Sequence, residues 1–420
     1  MFLIFCGAMV LFMTPGLAFF YGGLVRASSV VSMMMMSFGS LGLIGVLWMV
    51  FGYAVSFADP SSNSFVGIPG VIGIQLDQIG LNSLVANVGD GSQLAFAGFQ
   101  GTFAIITVAL ISGAIADRAK FGSWMIFAGI WAAVVYFPVA SWVFNFKIVN
   151  GHITSGGWLV KDVGLLDFAG GTVVEIASGA SALALALVLG KRFGFGKGMH
   201  SPHNVPLTLI GVGILWFGWF GFNAGSELTA DGDAALAFIN TLAAGVGGLI
   251  SWALYERLAH GKPTAVGAGS GAVAGMVAIT PSCAYLNSFW ALALGVLVGF
   301  VCALAIEWKF IFGFDDSLDV VGIHLVGGVI GTLFIGLFGF TKQANVGLFL
   351  TGNPNQLLKQ FIGVLVVGLF AFVASYAIGW VIQKTIGFRI TTTDEIAGID
   401  VSLHGESGYS EVDPRWQWRG

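Results

Sequence analysis

Charge is what this chain most lacks. Of its 420 residues only 9% are Asp, Glu, Lys or Arg, against 56% hydrophobic, and the mean hydropathy is +0.89. So few charges exclude an ordinary soluble domain, whose overall composition is about a quarter charged, and so much hydrophobicity excludes intrinsic disorder. No basic patch interleaved with aromatics occurs, which argues against nucleic acid as a partner. Cysteine is scarce too. Cys6, Cys283 and Cys302 stand in or beside apolar stretches, without metal-ligand or disulfide spacing, and read as small buried hydrophobes. No metal site and no cofactor is expected. An HExxH motif, a Ser/His/Asp set and a Rossmann or Walker glycine pattern in a suitable context are also missing, so the chain does not read as an enzyme.

What the chain does have is long apolar runs and 63 glycines. A crossing needs ~20 apolar residues, and eleven segments qualify, near 1–24, 29–57, 94–116, 122–146, 168–190, 204–224, 234–256, 265–280, 288–312, 320–340 and 357–383; the eighth is the shortest. The first lacks a basic leader and runs apolar to Tyr21, as a true span rather than a cleaved signal does. Glycines such as Gly322, Gly327, Gly328 and Gly331 let helix backbones approach where lipid offers no hydrophobic drive. The expected fold class is an all-α polytopic membrane protein in the cell membrane.

Basic residues set the orientation. Arg26, Arg118, Lys120, Lys191, Arg192, Lys197, Arg257, Lys262, Lys309, Lys384, Arg389, Arg415 and Arg419 fall on one side of the alternating loops, and only Lys147, Lys161, Lys342 and Lys359 on the other. The first side is therefore cytoplasmic, with the N-terminus outside and the C-terminus inside. The outer loop 58–93, with Asp59, Asp77 and Asp90 and no basic residue, reads as an irregular solvated cap. Residues 1–384 form the membrane domain, and 385–420 a polar cytoplasmic tail.

Two titratable residues stand alone in these runs. Glu175 lies in DFAGGTVVEIASG, eight residues past Asp167, which is placed as an N-cap; at ~1.5 Å per residue that is ~12 Å into the helix. A buried carboxylate costs several kcal/mol in lipid unless it meets a partner or a watery path. His324, in DVVGIHLVGG, is the second. A lone histidine is as often a satisfied core residue, but two such groups on separate spans suit a proton relay or cation path. Trp219, Phe222 and Ser226 share a helical face at i, i+3, i+7, and Phe99 and Phe103 do so at i, i+4. Such stripes commonly pack, yet aromatic faces beside a hydroxyl are also what a small desolvated cation needs.

The stretches TPGLAFFYGGLVR (14–26), FQGTFA (99–104), DFAGGTVV (167–174), GWFGFNAGS (218–226) and DVVGIHLVGG (319–328) closely resemble motifs of the ammonium transporter, methylammonium permease and Rhesus protein family, in order along nearly the whole chain. The resemblance implies eleven helices in a five-plus-five inverted pseudo-repeat, a homotrimer, and one narrow hydrophobic pore per subunit. It places an outer ammonium site on Phe103, Ser226 and the aromatic ending the fourth span (Phe144, or Trp142 if that ring swings in). It makes Phe103 and Phe222 a stacked gate, Trp219 a pore-lining residue, and Glu175 and His324 the paired pore groups; Asp167 supports the outer site, and Phe20 and Tyr21 lie toward the inner mouth. The tail segment EIAGIDVSLHGESGY resembles a regulatory tail that in many members meets a trimeric PII-type signalling protein. Glu175 replaces the usual first pore histidine, as in some fungal members, and Ser141 and Phe144 flank Trp142 where histidine and tryptophan are usual. These departures point to altered selectivity, slower throughput or a changed duty. Two functions are consistent with the residues: ammonium or ammonia transport with proton relay by Glu175 and His324, or a non-conducting ammonium receptor whose tail couples to a signalling, histidine kinase-like domain. An intramembrane hydrolase would need a nucleophile and oxyanion motif that the chain does not display.

Overall fold

The computed structural model describes residues 1–89, 91–149, 152–198 and 201–409. Asp90 of the outer loop and Arg415 and Arg419 of the tail lie outside the described residues. Eleven apolar helices are found among the described residues, close to the bounds expected from hydropathy: α1 (Phe2–Leu24), α2 (Ala27–Ser56), α3 (Ser92–Ile115), α4 (Phe121–Val143), α5 (Gly171–Leu189), α6 (Val205–Gly225), α7 (Gly232–His260), α8 (Ala265–Ile279), α9 (Ser288–Phe312), α10 (Val321–Phe338) and α11 (Asn355–Thr385). Ten are long and apolar enough to cross a membrane; α8 is shorter, at 15 residues.

Polar side chains set several starts. Asn204 accepts from the Leu207 amide before α6, Asp231 from Asp233 and Ala234 before α7, Thr264 from Gly267 before α8, and Asn287 from Trp290 before α9. Each satisfies amides that the helix cannot pair internally. Interior packing depends on small residues. A Cβ on Gly275 or Gly295 would collide with the Ala244 carbonyl, so α7 takes α8 on one side and α9 on the other at backbone contact. Helix α1 packs on α2, α3 and α6, and α6 packs on α7, α8 and α1, so contacts within the first five helices recur five helices later. Helix α11 lies across α5 and α10 and leaves Leu365, Leu369, Val373 and Trp380 exposed, the apolar outer face a lipid-embedded helix requires.

One end of the bundle carries two β-hairpins. Strands β1 (Phe65–Ile68) and β2 (Ile72–Gln75) form the first, β3 (Phe146–Val149) and β4 (His152–Gly156) the second. Loop 58–93 is thus more ordered than the irregular cap expected from its composition. The hairpins are tied together: the Trp158 amide donates to Gly70 O at 3.1 Å, the Asn145 side chain to Ala58 O at 2.8 Å, and Lys147 Nζ meets Asp59 Oδ2 at 2.5 Å.

The opposite end holds a buried ion network. Arg192 pairs with Asp315 through Nε at 2.9 Å and with Asp117 through Nη1 at 3.1 Å, while Arg118 donates to Ser317 Oγ and Asp315 O. Burial pushes the Asp315 carboxyl upward, but the Arg118 and Arg192 guanidiniums more than offset it and hold the group below the usual carboxylate range. The tail docks here in two short helices, α12 (Thr392–Ala397) and α13 (Ile399–His404). Glu395 accepts from the Phe193 amide and from Arg389, and Arg26 donates to the Glu395 carbonyl. Asp400 accepts from Val31 N at 3.0 Å and Ser32 N at 2.8 Å, which caps the start of α2 from a distance of more than 360 residues in sequence.

Candidate functional site

Helices α5 and α10 each open with a π-helical turn, Gly171–Ile176 and Val321–Leu325, and each turn holds one of the two isolated titratable residues. Asp167 organises the first. Its Oδ1 accepts from Gly170 N at 2.8 Å and Gly171 N at 2.7 Å, and its Oδ2 from Thr172 N at 2.7 Å and Thr172 Oγ1 at 2.5 Å. The cap therefore reaches forward, and the helix starts at Gly171 instead of directly after Asp167. Glu175 consequently sits one turn into its helix, ~6 Å along the axis and not ~12 Å. Asp316 plays the matching part for α10, with Oδ2 accepting from Val321 N at 2.7 Å. Asp167 precedes Glu175 by the same eight positions as Asp316 precedes His324.

The body of α10 packs on the first turn of α5, and the body of α5 on the first turn of α10, so the two run antiparallel and bring their opening turns together. At the junction His324 Nδ1 lies 2.6 Å from Glu175 Oε2, both side chains buried. The imidazole and the carboxyl are joined by that one hydrogen bond, with donor and acceptor set by the histidine tautomer. Glycine makes the approach possible: a Cβ on Gly328 would stand 2.9 Å from the Glu175 Cβ.

Beside the pair lies a narrow cavity walled by Met13, Leu17, Phe20, Ile106, Leu110, Trp219 and Phe222, with Glu175 and His324 as its titratable lining. Phe103 and Phe222 stack at 3.9 Å and 18°, both buried, and close one end. Phe144 meets Phe103 edge-on at 6.3 Å, and Ser226 donates its hydroxyl to Phe222 O at 2.9 Å one turn away. Trp219 is fixed by its indole N–H, which donates to Thr280 Oγ1 at 2.9 Å. Trp142 does not turn toward this group. Its indole donates to Val71 O in the first hairpin and its ring packs on Trp158 and Phe370. Phe20 and Tyr21 are buried and in ring contact, and Tyr21 donates to Leu110 O at 3.0 Å. Three residues with a part here went unread in the sequence. Thr280 and Val71 anchor tryptophans and carry no local signal; Asp316 was detectable from the repeated eight-residue spacing.

A membrane-spanning helical bundle with a ring-lined cavity and a buried acid–imidazole pair on its wall defines a membrane transport protein for a small polar solute. The family model described as Ammonium Transporter Family matches residues 1–409, and the chain belongs to that family. An ammonium transporter of Mycobacterium tuberculosis is 47% identical over 96% of this chain and 88% of its own length, and one of Bacillus subtilis is 40% identical over 98% of both. Among solved structures, a protein described as a sensor Amt protein superposes with a TM-score of 0.87 at 27% identity, covering 96% of this chain and 97% of that one. Candida albicans Mep2 superposes with a TM-score of 0.82 at 30% identity, covering 94% and 86%. The protein is a multi-pass protein of the cell membrane that transports ammonium.

Proposed function

We propose that ammonium enters through the outer aromatic group, sheds its water against Phe103, Phe144 and Ser226, passes the Phe103–Phe222 gate, and crosses along the apolar cavity while Glu175 and His324 relay its proton. The observation that carries this reading is the 2.6 Å Glu175–His324 hydrogen bond on the wall of a cavity otherwise lined by hydrocarbon and rings. Stripping water from a cation is the main barrier, and a carboxyl–imidazole pair lowers it by holding the proton while uncharged ammonia moves through hydrocarbon. Aromatic faces hold the cation as hydration is lost. Trp219 lines the passage, Asp167 supports its outer end through the start of α5, and Phe20 and Tyr21 form the inner mouth. With Trp142 held by Val71, the ring that meets the cation on the fourth span is Phe144.

The same reading covers the whole assembly: five helices and their inverted counterparts, the N-terminus outside and the hairpins on the outer face, a membrane domain over 1–384, and a cytoplasmic tail over 385–420 able to receive a PII-type protein or a signalling domain. Three copies assemble, each with its own pore. Ammonium-dependent current from proteoliposomes on a solid-supported membrane tests the mechanism. Wild-type current that falls in Glu175→Gln supports the relay. Unchanged current in that variant discards it, and saturable binding without any current marks a receptor.

A further inference from the structure

The loop before α10 holds three aspartates, and they are not equivalent. Asp315 is paired with Arg192 and Asp319 with Lys309 Nζ at 2.5 Å, whereas Asp316 has no ion pair among the described residues. Asp316 is 2% exposed; its Oδ2 takes the Val321 amide, and its Oδ1 has no hydrogen-bond partner among the described residues. A buried carboxylate oxygen without a donor costs free energy unless it serves a purpose. The contrast with Asp167 is informative. There four donors saturate both oxygens, which suits a fixed structural anion.

We propose that Asp316 is the terminal proton acceptor of the relay, taking the proton that leaves His324 and handing it to water at the tail-bearing end of the molecule. This rests on the relay described above. The position fits: Val321, whose amide Asp316 holds, precedes His324 by one helical turn, a rise of ~5 Å. Tyr21, in ring contact with the cavity-lining Phe20, lies within electrostatic reach of both Glu175 and Asp316. A proton passes from Glu175 to His324 Nδ1 as the N–H on the other ring nitrogen breaks and an O–H forms on Asp316 Oδ1 through intervening water; the carboxyl then releases that proton to bulk water, and Glu175 is reprotonated by the next ammonium, which leaves as ammonia. No electrons are exchanged.

The surroundings tune the group for accepting and releasing a proton near neutrality. Burial, reinforced by the Asp319 carboxylate, outweighs the Lys309 ammonium and the Val321 and Val320 amides, so that the carboxyl is raised to about 6. Arg118 also lies within electrostatic reach, but its guanidinium donates to Asp315 O and Ser317 Oγ.

Asp316→Asn is the test, since an amide oxygen can still accept from Val321 and keep the start of α10. Ammonium-dependent current in proteoliposomes should fall about tenfold, the loss expected on removing one proton-transfer group, and the inflection of the wild-type current around pH 6 should disappear. Asp316→Glu should restore current with a displaced inflection. Wild-type current and pH profile in Asp316→Asn overturn this inference alone. Equal loss in both variants, together with lowered thermal stability, assigns Asp316 a merely structural role and also overturns it. A wild type that gives no current removes the relay itself, and with it the inference.

Discussion

Glu175 and His324 share a proton over 2.6 Å, so removing either partner leaves the other without its buried hydrogen bond. Glu175→Gln keeps the shape but cannot release a proton, and should lower ammonium-dependent current by about tenfold or more. Glu175→His supplies a second imidazole and should retain substantial current in the same recordings. Asp167→Ala leaves three amides and one hydroxyl without their acceptor, and should cost about 1–2 kcal/mol of stability and reduce transport; Asp167→Asn should recover part of the loss, read by thermal unfolding in detergent. At this scale the sequence was legible wherever a polar residue stood alone in hydrocarbon, because such a residue has few ways to be satisfied. Asp316 escaped notice among neighbouring aspartates: only its spacing from His324, which repeats that of Asp167 from Glu175, marks it, and nothing else local distinguishes an ion-paired carboxylate from one with a free oxygen. The direction of Trp142 was likewise invisible, because its acceptor, Val71 O, comes from a distant hairpin.

Hydropathy placed the helices well, since lipid demands long apolar segments and each loop is short of them. Starts were less legible. A cap that reaches forward from Asp167 moves α5 to Gly171, and π-turns open both α5 and α10 where the two helices meet. Gly179 and Gly328 both allow that crossing: a Cβ on Gly179 would collide with the Leu325 amide nitrogen. In Gly328→Ala the added methyl, 2.9 Å from the Glu175 Cβ, must separate the two helices; a loss of about 1–3 kcal/mol and a drop in current are expected, measured by thermal unfolding and proteoliposome recording. The paired hairpins were not foreseen, because short exposed strands carry little hydrophobic pattern. Their clamp is pH-sensitive. Burial works against the Asp59 carboxylate, but the Lys147 ammonium and the Ser61 donors prevail and lower it to about 2 from 3.8. A lowered carboxylate stabilises fully above its unfolded value and loses that contribution as pH falls through its folded one. A nitroxide at Val66→Cys, exposed on the first hairpin, should therefore stay equally restrained down to about pH 4 and gain mobility below it; Asp59→Asn should be mobile throughout.

Over the molecule as a whole, the basic residues are divided unequally between the two ends. Arg26, Arg118, Arg192 and Arg389 gather with the docked tail, and Lys147 and Lys342 stand at the hairpin end with Asp59 and Glu227 as their partners. The positive-inside preference acts on such a distribution during insertion and fixes which end faces the cytoplasm. The network that results also binds the tail: Asp400 occupies the amides that open α2, and Glu395 bridges Arg389 and the Phe193 amide, so tail and membrane helices form one packed unit at that end. The three native cysteines are buried and will not react with an aqueous reagent, which leaves a single introduced cysteine as a clean reporter. In intact cells, a membrane-impermeant maleimide should label Val66→Cys on the hairpin and leave Val401→Cys on the tail unlabelled, although both sites are exposed. Permeabilisation should make Val401→Cys reactive. The reverse pattern would invert the orientation, and it would also turn the proton path around, because Asp316 and the basic network would then face the external medium.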